Sequence, residues 1–320
     1  HPRPLTWDDG PRDVYHIWIS EVIMQQTRIE QGAAYYKRFI ERFPDVHSLA
    51  SASPDEVLRY WQGLGYYTRA RNLHKAAKVV LEEHDGNFPN TFDGLIRLPG
   101  IGPYSAAAIA SFAFGLPYPV VDGNVKRVAS RFAGIVEPVD LPATHETIRK
   151  EVCKWMKGAH PAEFNQAIMN FGALACKPKN PLCTTCVLQE KCYAFQNGMT
   201  DQLPARMKIK SNTVRYLHFV IMQYRGHVLL ERREGKDIWH GLYTPPILEL
   251  NHPRKPTATQ IASLVEKWTG TEVEHSSASG ELIKQQLTHQ TLYMTFYTVR
   301  LVSSPKAMPE NAVWISKKNI

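Results

Sequence analysis

Apolar residues in the first half of the chain recur at intervals of three and four, which is the spacing of amphipathic α-helices. This pattern extends from Val14 to about Ala175. Within it, the tetrapeptide Ser53-Pro54-Asp55-Glu56 joins an N-cap serine to a proline in the first helical turn, which marks the start of a helix. The helices predicted in this block cover residues 17–24, 29–43, 54–62, 67–84, 104–114, 123–132, 144–157 and 162–175.

The period changes to two after a polar, basic segment that contains Pro204. Two alternating runs, 216–223 and 227–231, flank Arg225-Gly226 and predict a β-hairpin. Later strands are expected near 291–302 and 312–316, and one helix is expected near 258–269. The pattern therefore predicts three parts: a helical domain of residues 1–197, a linker of residues 198–213, and an α+β domain of residues 214–320.

The composition is that of an ordinary globular protein, with 43% hydrophobic and 21% charged residues in a chain of 320. A net charge of +8 favours a polyanionic partner. No run approaches the roughly 18 apolar residues that a membrane-spanning helix needs, so we expect no membrane partner.

Four of the five cysteines form one cluster with the spacing Cys-x6-Cys-x2-Cys-x5-Cys: Cys176, Cys183, Cys186 and Cys192. A dense cluster in a cysteine-poor chain indicates a metal site in a reducing compartment rather than a disulfide framework. Four thiolates bind either zinc or a [4Fe–4S] cluster. Zinc sites commonly combine two Cys-x2-Cys units, and this spacing contains only one, so it is less typical of zinc.

Two segments of the helical block suit a phosphodiester backbone. In Leu98-Pro99-Gly100-Ile101-Gly102, two glycines precede a helix of small residues, and the unpaired amides of such a turn suit a phosphate. The same motif also fits a tight helix–helix turn. Lys177 and Lys179 lie between the first two cysteines, where no acidic residue occurs. These lysines either contact phosphates or are simply solvated at the surface.

Asp122 follows an apolar pair, Val120-Val121, and precedes a predicted helix. In this position its carboxylate is expected to cap the helix and accept backbone hydrogen bonds. We expect the capped carboxylate to lie near a phosphodiester that is bound by the preceding hairpin.

Taken together, LPGIGPYSA, VVDGNV and the cysteine cluster resemble the endonuclease III superfamily of helix–hairpin–helix DNA glycosylases. The stretches WISEVIMQQT, from Trp18, and GLGYY, from Gly63, are similar to its adenine DNA glycosylase branch (MutY type). In the second block, VLLERR and IWHGLY resemble the Nudix-like domain of that branch. The resemblance covers almost the whole chain. It implies a mainly α helix–hairpin–helix domain with a [4Fe–4S] loop, followed by an α+β Nudix-like domain.

The resemblance implies excision of adenine mispaired with 8-oxoguanine in double-stranded DNA, by a monomer with one [4Fe–4S] cluster and a structural cation at the hairpin. Glu21 matches the residue that protonates the purine, and its apolar neighbours one turn away would raise its pKa. Asp122 matches the residue that stabilises the sugar cation, and Asn124 is expected to orient it. Tyr104 stands where bifunctional relatives have a Schiff-base lysine, so the resemblance implies a monofunctional enzyme.

Other residues are matched to base recognition by the resemblance alone. Gln26 and Tyr66 match the residues that fill the gap left by an extruded base, and Thr27 and Leu64 match residues beside the opposing 8-oxoguanine. The remaining matches, to the base pocket and to the loop that reads 8-oxoguanine, are Arg3, Trp7, Gln166, Thr288 and His289. The chain departs from the family at Asp8, where many relatives have arginine, and at Thr288, where serine is more usual. The family pattern also implies a helix upstream of His1.

Three alternatives stay open at this point. An endonuclease III-like pyrimidine glycosylase/lyase is disfavoured by Tyr104 and by the second domain. A non-catalytic lesion-binding protein is disfavoured by the presence of both Glu21 and Asp122. A Nudix nucleotide hydrolase is disfavoured because residues 254–270 offer only Glu266 to a metal ion.

Overall fold

The computed structural model describes residues 13–25, 27, 29–207, 213–235, 237–271, 273–287 and 289–319. The chain divides into two compact units, a helical unit of residues 1–208 and a sheet unit of residues 209–320. Four of the predicted site residues lie outside the described residues: Arg3, Trp7, Gln26 and Thr288.

The helical unit contains every helix that the apolar spacing predicts. Its α-helices are α1 Val14–Met24, α2 Ile29–Arg42, α3 Val46–Ser51, α4 Pro54–Trp61, α5 Thr68–Glu83, α6 Phe92–Leu95, α7 Pro103–Phe114, α8 Gly123–Ala133, α9 Pro142–Met156, α10 Pro161–Leu174 and α11 Tyr193–Gln196. Two 3-10 turns, Cys183–Thr185 and Gln189–Lys191, lie between α10 and α11. The sequence pattern does not predict α3, α6 and α11, because helices of four to six residues are too short to show a period.

Two large hydrophobic clusters hold the described part of the helical unit together, and a smaller one forms around Val120. The first lies among α1 to α7 and buries Trp18 and Trp61 almost completely. The second lies among α8, α9 and α10 around Val125 and Ile148. Helix α7 packs against α1, and its buried run of small residues, 105–111, lets the two backbones approach closely.

Part of the predicted linker packs against the helical unit. Leu203 is buried, and its carbonyl accepts a hydrogen bond from Arg131 Nε at 2.8 Å. The carbonyl of Ala205 accepts one from the amide of Val139 at 3.0 Å. The helical unit therefore extends beyond residue 197, and the linker begins later than the polar composition of residues 198–207 suggests.

The described part of the sheet unit forms a seven-stranded mixed sheet with one long helix. Its elements are β1 Thr213–Tyr224, β2 His227–Arg232, β3 Tyr243–Thr244, β4 Ile247–Leu250, α12 Ala258–Thr269, β5 Val273–Gln286, β6 Gln290–Leu301, β7 Ala312–Ser316 and a 3-10 turn, Lys317–Asn319. The strand order is β3-β2-β1-β6-β5, with β4 paired to β1 and β7 paired to β2. Strands β1 and β6 run parallel. Helix α12 covers one face through Ile261 and Val265.

The sequence pattern correctly predicts the β1–β2 hairpin, α12, β6 and β7. Tyr224 lies opposite His227 across the predicted turn. The pattern does not predict β5, whose sequence VEHSSASGELIKQQ has no regular alternation of apolar residues. This strand is defined by its antiparallel pairing with β6, for example Gln286 with Thr291. Pairing of this kind depends on the partner strand and leaves little trace in the local sequence.

Candidate active site

A cavity of about 900 Å³ opens in the helical unit, with walls from α1, α5, α7, α10 and the start of α8. Its size is that of a small-ligand site, which is typically about 300–1,000 Å³. The predicted site residues that line it are Glu21, Thr27, Tyr66, Gly100, Gly102, Tyr104, Asp122, Asn124 and Gln166. Leu64, which was expected beside the opposing base, packs in the first hydrophobic core and is only 9% exposed. The cavity also has lining residues that the sequence did not suggest, among them Gln25, Arg69 and Asn72.

Glu21 lies on the wall that α1 contributes, and its side chain is only 7% exposed. Trp18 and Val22, on the same helix, make this wall largely apolar. Burial raises the pKa of Glu21 to about 7; a hydrogen bond with Tyr104 opposes the shift, and the charge of Asp122 adds to it. Because the burial effect is the largest of the three, a substantial fraction of Glu21 is protonated at neutral pH.

Tyr104 reaches Glu21 because α7 packs closely against α1. Its hydroxyl hydrogen-bonds the Glu21 side chain, and burial raises the pKa of Tyr104 far above its usual range, helped by the charges of Glu21 and Asp122. The phenol is therefore neutral at physiological pH. Tyrosine also has no amine, so Tyr104 cannot form a Schiff base with the sugar.

The two glycines of the hairpin before α7 have different roles. Gly100 has a φ of +77°, and a Cβ atom there would lie 2.5 Å from the Asn72 Cβ atom. Gly102 is the N-cap of α7 with an extended backbone, φ −90° and ψ 179°, and nothing lies within 4 Å of the position of its Cβ atom. Gly100 is therefore needed for the turn, whereas Gly102 leaves space at a helix N-terminus, where a phosphate can approach the amides.

Asp122 is the N-cap of α8, as its sequence position predicts. Its Oδ1 accepts a hydrogen bond from the Val125 amide at 2.7 Å, and its Oδ2 accepts one from Asn124 Nδ2 at 2.9 Å. These two bonds hold the carboxylate in one orientation at the cavity wall.

Arg127, which the sequence pattern does not single out, supports Asn124 from behind the cavity wall. Its Nη2 donates to Asn124 Oδ1 at 2.8 Å and to the Gly172 carbonyl at 2.7 Å, and its Nε donates to the Cys176 carbonyl at 2.7 Å. A Cβ atom on Gly172 would lie 2.7 Å from the Asn124 Cβ atom, so this glycine lets α10 approach α8. The amide that orients Asp122 is therefore tied to the start of the cysteine loop. The position of Arg127, one helical turn after Asn124, is the signal that could have identified it.

The four clustered cysteines line one small cavity next to α8. Arg131 Nη1 donates to Cys176 Sγ, and the Leu188 amide donates to Cys186 Sγ, both at 3.4 Å. Among the described residues, no group of three or more His, Cys, Asp or Glu side chains is arranged to hold a metal ion. Four thiols at one cavity, two of them accepting hydrogen bonds, are a donor set that suits a cluster bound by four thiolates. Lys177 and Lys179, in this loop, are exposed.

In the sheet unit, His289 lies at the turn between β5 and β6 and is exposed. Its carbonyl accepts a hydrogen bond from the Thr213 amide at 3.2 Å, which fixes the turn to the start of β1. On α12, Glu266 is the one acidic residue. The helix therefore has no cluster of glutamates that could bind the metal of a Nudix hydrolase.

Comparison with known proteins finds a different family in each unit. The family described as HhH-GPD superfamily base excision DNA repair protein matches residues 19–157, and the NUDIX domain family matches residues 217–320. An adenine DNA glycosylase of Buchnera aphidicola subsp. Baizongia pistaciae is 35% identical over 298 residues, which are 91% of this chain and 80% of the relative. The chain belongs to the adenine DNA glycosylase family. The adenine DNA glycosylase of Mus musculus is 42% identical over 220 residues, 65% of this chain and 42% of that relative.

Solved structures support the fold of this adenine DNA glycosylase. A thermostable thymine-DNA glycosylase superposes with a TM-score of 0.56 and 26% identity, covering 61% of this chain and 89% of that one. A non-covalent endonuclease III–DNA complex superposes with a TM-score of 0.54 and 25% identity, covering 62% and 90%. The enzyme therefore has a helical HhH-GPD domain and a Nudix-like domain, and its substrate is DNA. None of the helices in the described residues is both long and apolar enough to cross a membrane.

Proposed function

We propose that this adenine DNA glycosylase excises adenine mispaired with 8-oxoguanine, and that it is monofunctional, so that its product is an abasic site. The observation that supports this most directly is the arrangement of Glu21, Tyr104 and Asp122 around one cavity. The cavity holds an acid that is partly protonated at neutral pH and a carboxylate fixed by two hydrogen bonds, and it has tyrosine at the position of the Schiff-base lysine.

The chemistry follows from the state of these groups. Adenine is a poor leaving group as an anion, so its departure needs a proton on the purine ring. Glu21, with its pKa raised to about 7 by burial, is available as that proton donor at neutral pH. As the glycosidic bond breaks, positive charge develops on the sugar, and the Asp122 carboxylate stabilises it. Addition of a water molecule to the same sugar carbon, with loss of one proton, completes the abasic site. Asn124 keeps Asp122 in place.

The substrate base must leave the duplex stack to enter the cavity, and side chains must fill the gap that it leaves. Tyr66 is half exposed at the cavity wall, and Thr27 lines the same cavity. Gln166, on α10, contributes a polar side chain for the base edge. We assign Gln26 to the gap as well, Arg3 and Trp7 to the base pocket, and the segment that contains Leu64 to the side of the opposing 8-oxoguanine.

Two further sets of residues contact the nucleic acid in this proposal. Gly100, Gly102, Lys177 and Lys179 bind the phosphate backbone, through the amides at the start of α7 and through the exposed lysines. Thr288 and His289 read the 8-oxoguanine. The exposure of His289 at a turn supports such a contact.

We propose that the four cysteines hold one [4Fe–4S] cluster, which when bound would cross-link residues 176–192 into a rigid loop. Purified protein should be yellow-brown and should contain about four irons per chain. Stoichiometric zinc without iron in anaerobically purified protein would contradict the assignment. Cys186→Ser should reduce DNA affinity or folding rather than the rate of the chemical step.

A cation at the hairpin would rely on backbone carbonyls, because residues 98–105 contain no acidic side chain.

One assay tests the proposed function. Duplexes with adenine opposite 8-oxoguanine, G or T are incubated with the enzyme under single-turnover conditions, and strand breaks are measured before and after alkali. We expect the fastest excision opposite 8-oxoguanine and breaks only after alkali. Breaks without alkali would contradict the monofunctional assignment, and equal rates on the three duplexes would contradict the specificity for 8-oxoguanine. The control is a duplex with cytosine opposite 8-oxoguanine, which has no adenine to release.

A further inference from the structure

Arg69, near the start of α5, contacts the end of the helix that contains Glu21. Its Nη1 donates to the carbonyls of Val22 at 2.9 Å and Ile23 at 3.1 Å, and also to the carbonyl of Gln25. These carbonyls lie at the C-terminus of α1, where helix geometry leaves backbone acceptors without partners inside the helix. A guanidinium satisfies them and also complements the negative end of the helix dipole.

The same guanidinium holds a second segment, the turn of residues 63–67. Arg69 Nη2 donates to the Gly65 carbonyl at 3.3 Å, and the Arg69 backbone amide donates to the Tyr66 carbonyl at 2.9 Å. The guanidinium carbon lies 5.7 Å from the centre of the Tyr66 ring and 5.3 Å from that of the Trp61 ring. Arg69 thus joins two segments that are far apart in sequence.

The turn needs this support because its backbone is strained. Gly63 and Gly65 have φ values of +95° and +73°, and Tyr66 follows with a φ of +48°. An aromatic residue rarely adopts this left-handed conformation, and it persists only when surrounding contacts enforce it. The side chain held in this way is 50% exposed and lines the active-site cavity.

We propose that Arg69 is a positioning residue for base extrusion, which fixes the spacing between the end of α1, with Gln25 and Thr27, and the turn that presents Tyr66. This inference rests on the proposed function, because it assumes that both segments enter the duplex. Extrusion succeeds when the residues that fill the vacated space are already in place, so loosening either segment favours the stacked base. Neither the proton transfer by Glu21 nor the stabilisation of the sugar by Asp122 uses Arg69.

The geometry requires arginine rather than any cation. A guanidinium presents five N–H donors in a planar fork, and here that fork contacts carbonyls of two segments at once. A lysine would keep the positive charge near the helix end but would have one nitrogen in place of the fork. Arg69→Lys therefore keeps the positive charge but removes the simultaneous contacts with both segments, so its effect reports on positioning rather than on charge.

The experiment compares Arg69→Lys with the wild type on two substrates. In one, adenine is opposite 8-oxoguanine; in the other, it is opposite an abasic-site analogue, where the base is unpaired and extrusion is easier. We expect the single-turnover rate of Arg69→Lys to fall about tenfold more on the first substrate than on the second. In a Glu21→Gln background, 2-aminopurine at the target position should fluoresce less in the complex when Arg69 is replaced.

Arg38→Lys is the matched control. Arg38 Nη2 donates to the Tyr60 carbonyl at 3.0 Å and the guanidinium carbon lies 4.5 Å from the centre of the Tyr35 ring, so it makes similar contacts on an exposed part of the helical unit. This substitution should change neither the ratio between the two substrates nor the fluorescence. The pH at which excision is half-maximal should be the same in Arg69→Lys and the wild type, because Glu21 keeps its surroundings.

Several results would overturn the proposal. If the single-turnover rate of Arg69→Lys falls equally on both substrates, Arg69 acts on the chemical step. If the rate falls on neither substrate, the contacts of Arg69 with the two segments are not needed for extrusion. If both Arg69→Lys and Arg69→Gln are unfolded by circular dichroism, Arg69 maintains the fold rather than the spacing, and the proposal is wrong. Failure of the proposed function is a separate result: the wild type would then show no preference for 8-oxoguanine over G, and adenine opposite G would serve as the paired substrate for testing Arg69.

Discussion

The pKa of a carboxyl that is shielded from solvent shifts in opposite directions in the two units. In the helical unit, burial raises the pKa of Glu21 to about 7, and in the described part of the chain Glu21 makes no ion pair. In the sheet unit, the pKa of Asp237 is lowered to about 2, chiefly by the hydrogen bond from Arg215. The difference lies in the neighbours, since a cation outweighs partial burial and a phenol does not.

This difference separates a reactive carboxyl from a structural one. Arg215 binds both Asp237 and Glu249, each at 2.7 Å, and Arg233 bonds Asp237 at 3.2 Å. The network joins β1, β4 and the segment that follows β2. A carboxylate held by two arginines has no proton to give, whereas a neutral carboxyl in an apolar wall can act as an acid. We therefore expect substitutions to affect chemistry in one unit and stability or discrimination in the other.

The largest effect is expected from Glu21→Gln, which removes the proton donor and nearly keeps the shape. Excision should fall by about 10²–10⁴-fold, the usual contribution of general acid catalysis. Affinity for the duplex should be mostly retained. Single-turnover rates and a binding titration at one fixed salt concentration measure the two quantities separately.

Glu231→Gln is the control for this substitution. Glu231 is also a buried glutamate, at 8% exposure, but it pairs with Arg233 at 2.7 Å in the sheet unit. Excision should stay near the wild-type rate in this variant. If Glu21→Gln excised adenine at nearly the wild-type rate, Glu21 would not be the proton donor. The contrast between a reactive carboxyl in one unit and a structural one in the other would then be wrong.

The next effect concerns pH. Glu21 donates a proton, so the active fraction is its neutral form, which disappears as the pH rises through the pKa of about 7. The single-turnover rate should therefore fall about tenfold for each pH unit well above 7, the slope that one titrating group produces. The residual rate of Glu21→Gln should not show this fall. A wild-type rate that is constant from pH 6 to pH 9 would mean that another group supplies the proton.

A smaller effect is expected at the turn between β5 and β6. Replacing Thr288 and His289 with Ala should reduce the preference for 8-oxoguanine over G by about tenfold or more, because one polar contact to a base edge is worth roughly 1–3 kcal/mol. Excision opposite G should change less. If the excision rates and affinities fall equally on both duplexes, so that the preference for 8-oxoguanine over G is unchanged, the turn binds phosphate only. The lesion would then be read near Thr27 and Tyr66.

The smallest effect on excision is expected from Asp237→Asn, which should change stability instead. The pKa of Asp237 is lower in the folded protein than its ordinary value of 3.8, so its stabilising contribution is present above about pH 4 and is lost as the pH falls through about 2. At pH 7 the variant should be about 2 kcal/mol less stable in urea unfolding. At pH 2 the difference in unfolding free energy between the wild type and the variant should be smaller. An equal difference at both pH values would show that packing rather than charge is responsible.

How much the sequence predicts depends on the range of the interactions. Helices such as α5 and α8 were predicted within a few residues, because the spacing of their apolar residues is local information. Strand β5 and the packing of Leu203 were not, because both depend on partners distant in sequence. Among the candidate site residues, the N-cap role of Asp122 was predicted from its immediate neighbours, whereas the contacts of Arg69 and Arg127 were not.

The sequence by itself determined the order of the two domains, most of the helices, the four cysteines and the family to which the chain belongs. These depend on residue types at short, regular intervals, which are visible along the chain. Only the tertiary structure decided that Glu21 contacts Tyr104, that Asn124 is tied to the cysteine loop through Arg127, and that one guanidinium holds two segments together. The pKa of a carboxyl and the position of a side chain are set by the groups that folding places around them, and those groups come from separate parts of the sequence.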